Sequence, residues 1–324
     1  MLVGLTYDLR ADYLAMGYGE EETAEFDREG TIEAIERELK ALGHKTDRIG
    51  HVRRLVERLG SGARFDLVFN IAEGMHGFGR EAQVPALLDA YAIPYTFADP
   101  LCAAVTLHKA AAKRILRDSG IPTPPFALVE RAEDAARVDL PFPLFVKPVA
   151  EGTAKGIHAR SKVRDRAALE EECARVIATC RQPALVETFL PGREVTVGIT
   201  GTGDRAVAIG TLEVVLKPQA EADSYTYKNK EHCEELCEYK LAKGPFAAEA
   251  ECLSLAAWRA LGCRDGGRID LRAGPDGKLS VLEANPLPGL HPEHSDLPIL
   301  CTKIGIPYRE LIRRIVASAA ERMA

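Results

Sequence analysis

Arg268-Ile269-Asp270-Leu271-Arg272-Ala273-Gly274-Pro275-Asp276-Gly277-Lys278-Leu279-Ser280-Val281-Leu282-Glu283-Ala284-Asn285 reads as two strands joined by a tight turn. Asp276-Gly277 favours a two-residue hairpin loop, because both positions accept positive φ. With those two residues in the loop, Pro275 faces Lys278, Asp270 faces Glu283 and Arg268 faces Asn285. Strand alternation puts these last four side chains on one face. Ile269, Leu271, Leu282 and Ala284 fall on the other face, which is apolar and is expected to be the packed one. Two carboxylates directly opposed at roughly 5 Å repel unless something cationic sits between them. Asp, Glu and an Asn amide form an all-oxygen set that suits Mg²⁺ or Mn²⁺, not zinc. Mg²⁺ held by so few protein oxygens normally shares its site with phosphate. The plain alternative is a solvated face on which Arg268 neutralises the carboxylates.

The rest of the chain is consistent with a soluble α/β protein. It has 324 residues, 46% hydrophobic and 28% charged, which excludes disordered and fibrous classes and suggests about two compact units or one large one. No apolar run approaches the ~18 residues of a bilayer span. Met1–Tyr7 reads as a first strand, not as a signal peptide. A net charge of −6 argues against a nucleic-acid-coating surface. Eight cysteines are scattered without Cys-x-x-Cys, which suits reduced thiols and a cytoplasmic location. Cys233 and Cys237, beside His232, lack a second ligand pair with zinc spacing.

Upstream, strand and helix alternate: strands at 1–7, 45–49 and 65–71, and helices on Ile32/Ile35/Leu39, Val52/Leu55/Leu59 and Val84/Leu87/Leu88. Phe65–Ile71 is nearly all apolar, as in a strand covered on both faces. This alternation implies a doubly wound parallel sheet. One helix is expected over 101–119, and Ile121-Pro122-Thr123-Pro124-Pro125 is a stiff connector. Later strands near 126–129, 142–149, 184–190, 193–200 and 206–216 lead to the hairpin. The polar stretch 218–245 has no clear period and is expected to be a long, functional or mobile loop.

Two further segments suit phosphate chemistry. Lys147 is the one charge in Phe142-Pro143-Leu144-Phe145-Val146-Lys147-Pro148, so it is either a snorkelling edge residue or a phosphate contact. Glu151-Gly152-Thr153-Ala154-Lys155-Gly156 follows, and its glycines would let backbone N–H groups approach an anion. No Gly-Lys-Ser/Thr follows, so it is not a P-loop. Glu187 and Glu194 flank Leu190 on a strand–turn–strand segment and are otherwise edge charges.

In order, these residues resemble the ATP-grasp superfamily, most closely the D-alanine–D-alanine ligases. The resemblance rests on Arg268-Ile269-Asp270, Leu282-Glu283-Ala284-Asn285-Pro286-Leu287-Pro288-Gly289, Phe145-Val146-Lys147-Pro148 and Val186-Glu187 through Val197. It implies an ATP-grasp fold, α/β with an α+β C-terminal part: a doubly wound N-terminal domain at 1–98, a central domain at 99–183, and a C-terminal domain at 184–324 carrying the loop 218–245. The implied activity is an ATP- and Mg²⁺-dependent carboxylate–amine ligase working through an acyl phosphate, as in peptidoglycan precursor synthesis. The alternatives are the same chemistry on another amino-acid or small-metabolite pair and, more remotely, a nucleotide-binding protein without turnover. By resemblance Lys109, Lys147 and Thr153 would meet ATP phosphates, Glu187 and Leu190 the adenine, and Glu194 the ribose. Asp270, Glu283 and Asn285 would hold two Mg²⁺ (or Mn²⁺), and Arg268 would stabilise the transferring phosphoryl group. Lys230, on a closing loop, would act with Arg268 and Lys147. Gly289 and Ser295 would bind the second substrate, and His76 lies in the family's His-Gly near the amino-acid site. The usual opening Gly-Gly-x-Ser-x-Glu is replaced, with Glu25 standing in for its glutamate, and Glu231 replaces a usual aromatic. The expected partners are small amino-acid-like molecules, with no nucleic acid or membrane, and a homodimer is compatible with the resemblance.

Overall fold

The computed structural model describes residues 1–220 and 233–323. Lys230, Glu231 and His232 lie outside these residues. No described helix is long and apolar enough to cross a membrane.

β1 (Leu2–Tyr7), β2 (Lys45–Gly50) and β3 (Leu67–Ile71) form a parallel sheet of order β2-β1-β3. Every residue of β3 is buried, because both faces are covered. Ile32, Ile35 and Leu39 of α2 (Glu29–Ala41) cover one face with Leu311 and Ile315 of the chain's last helix. Leu55 and Leu59 of α3 (Val52–Gly60) and Val84 and Leu88 of α4 (Gln83–Ala90) cover the other. Pro94–Phe97 contributes a single bridge, Val68 to Tyr95. A short helix, α1 (Arg10–Ala15), follows β1 and carries no clear apolar period in the sequence.

The helix expected over 101–119 is two helices, α5 (Pro100–Leu107) and α6 (Lys109–Asp118). The break falls at His108 (φ −85°, ψ 88°), whose ring Nδ1 accepts the Ala111 N–H at 3.2 Å and caps α6. The Lys109 N–H then donates to Val149 O at 2.9 Å, which fixes α6 to the chain just after the strand Leu144–Pro148. β4 (Phe126–Val129), β5 (Leu144–Pro148), β6 (Lys162–Val163) and β7 (Ala184–Thr188) form an antiparallel sheet of order β4-β7-β5-β6, backed by α7 (Arg166–Cys180). β7 completes this sheet although it lies past the expected division at 183/184.

A second antiparallel sheet has the order β10-β9-β8-β11-β12. Its strands are β8 (Glu194–Thr200), β9 (Val207–Leu216), β10 (Cys237–Leu241), β11 (Gly266–Ala273) and β12 (Leu279–Asn285). β10 lies inside the expected 218–245 loop and pairs with β9. Five residues at the sheet edge, only Cys237 fully buried, give too weak an alternation to detect in sequence.

The β11–β12 hairpin reaches the expected register by an unexpected route. Gly274 N–H donates to Lys278 O at 2.8 Å, so the loop has three residues, Pro275-Asp276-Gly277, with Gly277 at φ 79°. That shifts the ladder by one residue: Ala273 pairs with Leu279 and Leu271 with Val281. A bulge at Leu282 then restores Asp270 opposite Glu283 and Arg268 opposite Asn285. The packed face is therefore Ile269, Leu271, Leu279, Val281 and Ala284, all buried. Leu282 is not on it, because the bulge turns it to the face of Glu283.

Candidate active site

An open cleft of about 960 Å³ lies between the two antiparallel sheets. α6 contributes Lys109, β5 contributes Phe145 and Lys147, β7 and its exit contribute Glu187 and Leu190, β8 contributes Glu194, and the hairpin contributes Asp270, Leu282 and Glu283. Most of the expected nucleotide and metal residues thus line one cleft, facing it from both sheets and α6. Thr153 instead lines a neighbouring cavity with Asn285, Glu25, Gly289 and Ser295. Arg268 and Asp296 line both spaces and stand where they meet. His76 is exposed and lines neither, its ring Nε2 lying 3.3 Å from the Tyr18 hydroxyl.

The cleft's charges are arranged in pairs. Glu187 is buried, with Lys113 Nζ at 2.6 Å on one oxygen and Lys147 Nζ at 2.7 Å on the other. Burial works against ionising Glu187, but the two lysines hold its pKa below the ordinary value. Burial would depress Lys147, yet Glu187 and Glu283 keep it raised. Lys113 sits one helical turn behind Lys109, and burial lowers its pKa to about 8. Lys109 Nζ lies 3.3 Å from Glu283. Glu194 is raised by burial, although Arg272 Nη1 is 3.2 Å away.

At the hairpin, burial lifts Asp270 to about 6; Arg268 opposes this, while Glu283 and Asp296 add to it. Its carboxylate accepts from Thr196 Oγ1 at 2.8 Å and from Asn285 Nδ2 at 3.0 Å. Arg268 Nε lies 3.3 Å from Asp270 and 3.6 Å from Asp296. This surplus of carboxylate oxygen is chemically suited to a hard divalent cation. Among the described residues, no three His, Cys, Asp or Glu side chains gather in ligand geometry, so the donors are placed without a closed shell.

The second cavity is strongly acidic. Glu25 is already engaged: Arg80 lies 3.1 Å and Lys155 3.0 Å from Oε2, and the Gly152 N–H donates to Oε1. Burial would raise Glu25, but these cations hold it low. Burial and neighbouring acids push Asp27 up to about 7 and Glu81 up to about 8, and Glu73 well above its ordinary value. Ser295 Oγ accepts the His291 N–H at 3.0 Å, and a Cβ on Gly289 would meet that oxygen at 2.8 Å. Gly289 therefore keeps the Ser295 side of the cavity open.

Sequence reasoning missed Thr196, Arg272 and Asp296 in the cleft, Lys113 behind its wall, and Asp27, Glu73 and Glu81 in the second cavity. Lys113 had a usable signal, its i+4 spacing from Lys109. Asp296 had another, adjacency to Ser295. Thr196 is set by cross-strand pairing with Asp270, which local sequence does not show.

A family model described as D-ala D-ala ligase C-terminus matches residues 115–317. A D-alanine–D-alanine ligase of Cupriavidus necator is 34% identical over 263 residues, covering 79% of this chain and 76% of its own. An uncharacterized protein, y4sG, of Sinorhizobium fredii is also 34% identical, over 264 residues, covering 79% and 75%. In fold, the chain is similar to the D-alanine–D-alanine ligase from Bacillus anthracis complexed with ATP (TM-score 0.72, 21% identity, 100% of this chain and 98% of that one). It is likewise similar to the VanG D-Ala:D-Ser ligase from Enterococcus faecalis (TM-score 0.74, 18% identity, 98% and 99%).

Proposed function

This chain belongs to the D-alanine–D-alanine ligase family and is an ATP-dependent ligase, and from that premise we propose which substrates it joins and which residues do the work. Two amino-acid-like molecules meet in the acidic cavity. The carboxylate of the first is activated as an acyl phosphate, and the amine of the second displaces phosphate. Atoms balance as ATP plus two substrates giving ADP, phosphate and one amide. D-Alanine is the first candidate for both substrates.

The observation that carries this reading is Arg268. It stands on the boundary between the nucleotide cleft and the second cavity, where a phosphoryl group passing to a carboxylate must travel. A buried guanidinium there stabilises charge that builds on the transferring group. Lys109 and Lys147 hold the polyphosphate, Phe145, Leu190 and Leu282 form apolar walls for the base, and Glu194 accepts from the ribose. Asp270, Glu283 and Asn285 would hold Mg²⁺, which would neutralise phosphate charge when bound. Gly289 and Ser295 orient the second substrate.

A different amino-acid pair is the second reading, and the state of Glu25 favours it. Arg80, Lys155 and the Gly152 N–H already engage that carboxylate, so a substrate ammonium group would meet Asp27, Glu73 or Glu81 instead. An ADP-release screen across D- and L-amino acids, singly and in pairs, with product masses, tests both readings. D-Alanyl-D-alanine as the best product supports the first. A preferred pair lacking D-alanine supports the second. No amino-acid-dependent ADP release overturns both.

A further inference from the structure

Lys113 lies behind the nucleotide cleft and does not line it. Its side chain is 1% exposed, and its ammonium group makes three contacts: Glu187 Oε1 at 2.6 Å, Thr123 Oγ1 at 2.9 Å and Val281 O at 3.4 Å. The buried ammonium thus meets one carboxylate as an ion pair and donates to two neutral oxygens. Thr123 Oγ1 passes the interaction on, donating to Val281 O at 2.9 Å. Lys113 thereby joins α6, the connector after it, β7 and β12.

The charge count around Glu187 gives this arrangement a consequence for the ligand. Lys147 faces the cleft and is paired to Glu187 at 2.7 Å. Those two groups alone sum to zero, and a polyphosphate approaching Lys147 would meet a closed ion pair. Lys113 adds one positive charge on the far side of Glu187, so the three sum to +1. Glu187 can be neutralised from behind only by a residue that the ligand does not touch.

We propose that Lys113 is a positioning residue for nucleotide binding: by balancing Glu187 from behind the cleft wall, it leaves the Lys147 charge available to the polyphosphate. This rests on the reading of the cleft as the ATP site. The geometry sets it apart from a residue that merely fills the core. A nonpolar side chain of similar length would fill the space between α6 and β12, yet it would leave Glu187 to Lys147 alone.

The test measures binding of two probes by calorimetry, a non-hydrolysable ATP analogue and inorganic tripolyphosphate, the second having no base for Glu187 to contact. Lys113→Met should weaken both by about ten- to a hundredfold, the worth of one charged hydrogen-bonding group. KM for ATP should rise in step while kcat changes much less. Lys113→Met/Glu187→Gln removes both members of the rear pair and should restore tripolyphosphate affinity to near wild type. Should Lys113→Met fail to fold, Glu187→Gln carries the test, since it leaves two lysines uncompensated and should bind tripolyphosphate more tightly than wild type. Unchanged binding by folded Lys113→Met overturns the proposal. So does a folded double variant as weak as the single one, or Glu187→Gln no tighter than wild type when the single variant does not fold. If wild-type protein binds neither probe, the ATP-site reading fails and the proposal fails with it.

Discussion

Glu283→Gln separates folding from turnover at the hairpin. Directly opposed residues of an antiparallel pair have Cβ atoms about 4.5–5.5 Å apart. Two unit charges about 5 Å apart at an effective dielectric of about 20 repel by about 3 kcal/mol. In this structure Asp270 and Glu283 are directly opposed, and each also has a cation at 3.3 Å: Arg268 for Asp270 and Lys109 for Glu283. The substitution deletes one repulsion and one attraction of the same order. Folding stability should therefore change by no more than about 1 kcal/mol, a shift of about 3 °C or less in a chain of this size. Turnover should fall by about a hundredfold or more, because a preorganised charge at the phosphoryl group is lost. The pH dependence follows from Asp270, which burial and its acidic neighbours hold at about 6. A carboxyl raised in the folded state adds stability that is complete below the ordinary value near 3.8 and is lost as pH rises through about 6. Removing Glu283 lowers that pKa, so the variant should lose less stability than wild type between pH 4 and 7. Coupled ADP release across a Mg²⁺ titration, beside thermal melts at several pH values, reads all three effects. Near-normal turnover in both Glu283→Gln and Asp270→Asn would refute the reasoning.

Thr196→Val keeps the side chain's volume but deletes the hydroxyl that donates to Asp270 at 2.8 Å. The Mg²⁺ concentration needed for half-maximal ADP release should rise about tenfold, the worth of one hydrogen bond to a charged group; an unchanged Mg²⁺ profile would show that Asp270 needs no such support. Asp27, which burial pushes up to about 7, adds stability below pH 4 that is lost as pH rises through 7. Asp27→Asn should therefore flatten the melting temperature between pH 5 and 8, and a slope equal to wild type counts against the buried acid.

The sequence made the site's first ring of residues legible because strand alternation is local. Asp270, Glu283, Arg268 and Asn285 could be placed on one face before any contact was known. What stayed hidden depends on pairs distant in the chain. Thr196 reaches Asp270 across the β8–β11 pairing, and Arg80 meets Glu25 fifty-five positions away. Glu25 shows the cost of position-matching alone. Its place in the second cavity was anticipated, but the two cations and the Gly152 N–H that occupy it were not. The α5–α6 break was missed for a different reason. Leu101–Ser119 contains no glycine or proline, and the signal for the break is one histidine whose ring caps the next helix. His76 sat in a matching motif, yet its loop turns the ring to Tyr18 and solvent.

The register of the hairpin was anticipated for the wrong reason, and the discrepancy has a function of its own. A two-residue loop with no bulge and a three-residue loop with one bulge both place Asp270 opposite Glu283. They differ at Leu282. In the first, alternation sends Leu282 into the core; in the second, Val281 takes the core position and Leu282 joins Glu283 in the cleft. The bulge thus puts two successive residues on the ligand side, one apolar and one anionic. Deleting Leu282 should leave a regular ladder in which Leu271 still faces Val281 and Asp270 still faces Glu283. The metal-side carboxylates would survive, and one apolar wall of the nucleotide cleft would be lost. KM for ATP should rise by about tenfold, the worth of roughly half of a leucine's full burial, while the Mg²⁺ dependence stays near wild type. Leu282→Ala, which keeps the backbone and trims the wall, should move KM in the same direction. If the deletion folds but loses its response to Mg²⁺ while Leu282→Ala keeps ATP affinity intact, the bulge sets the carboxylate register and not the nucleotide wall, and this account of it is wrong.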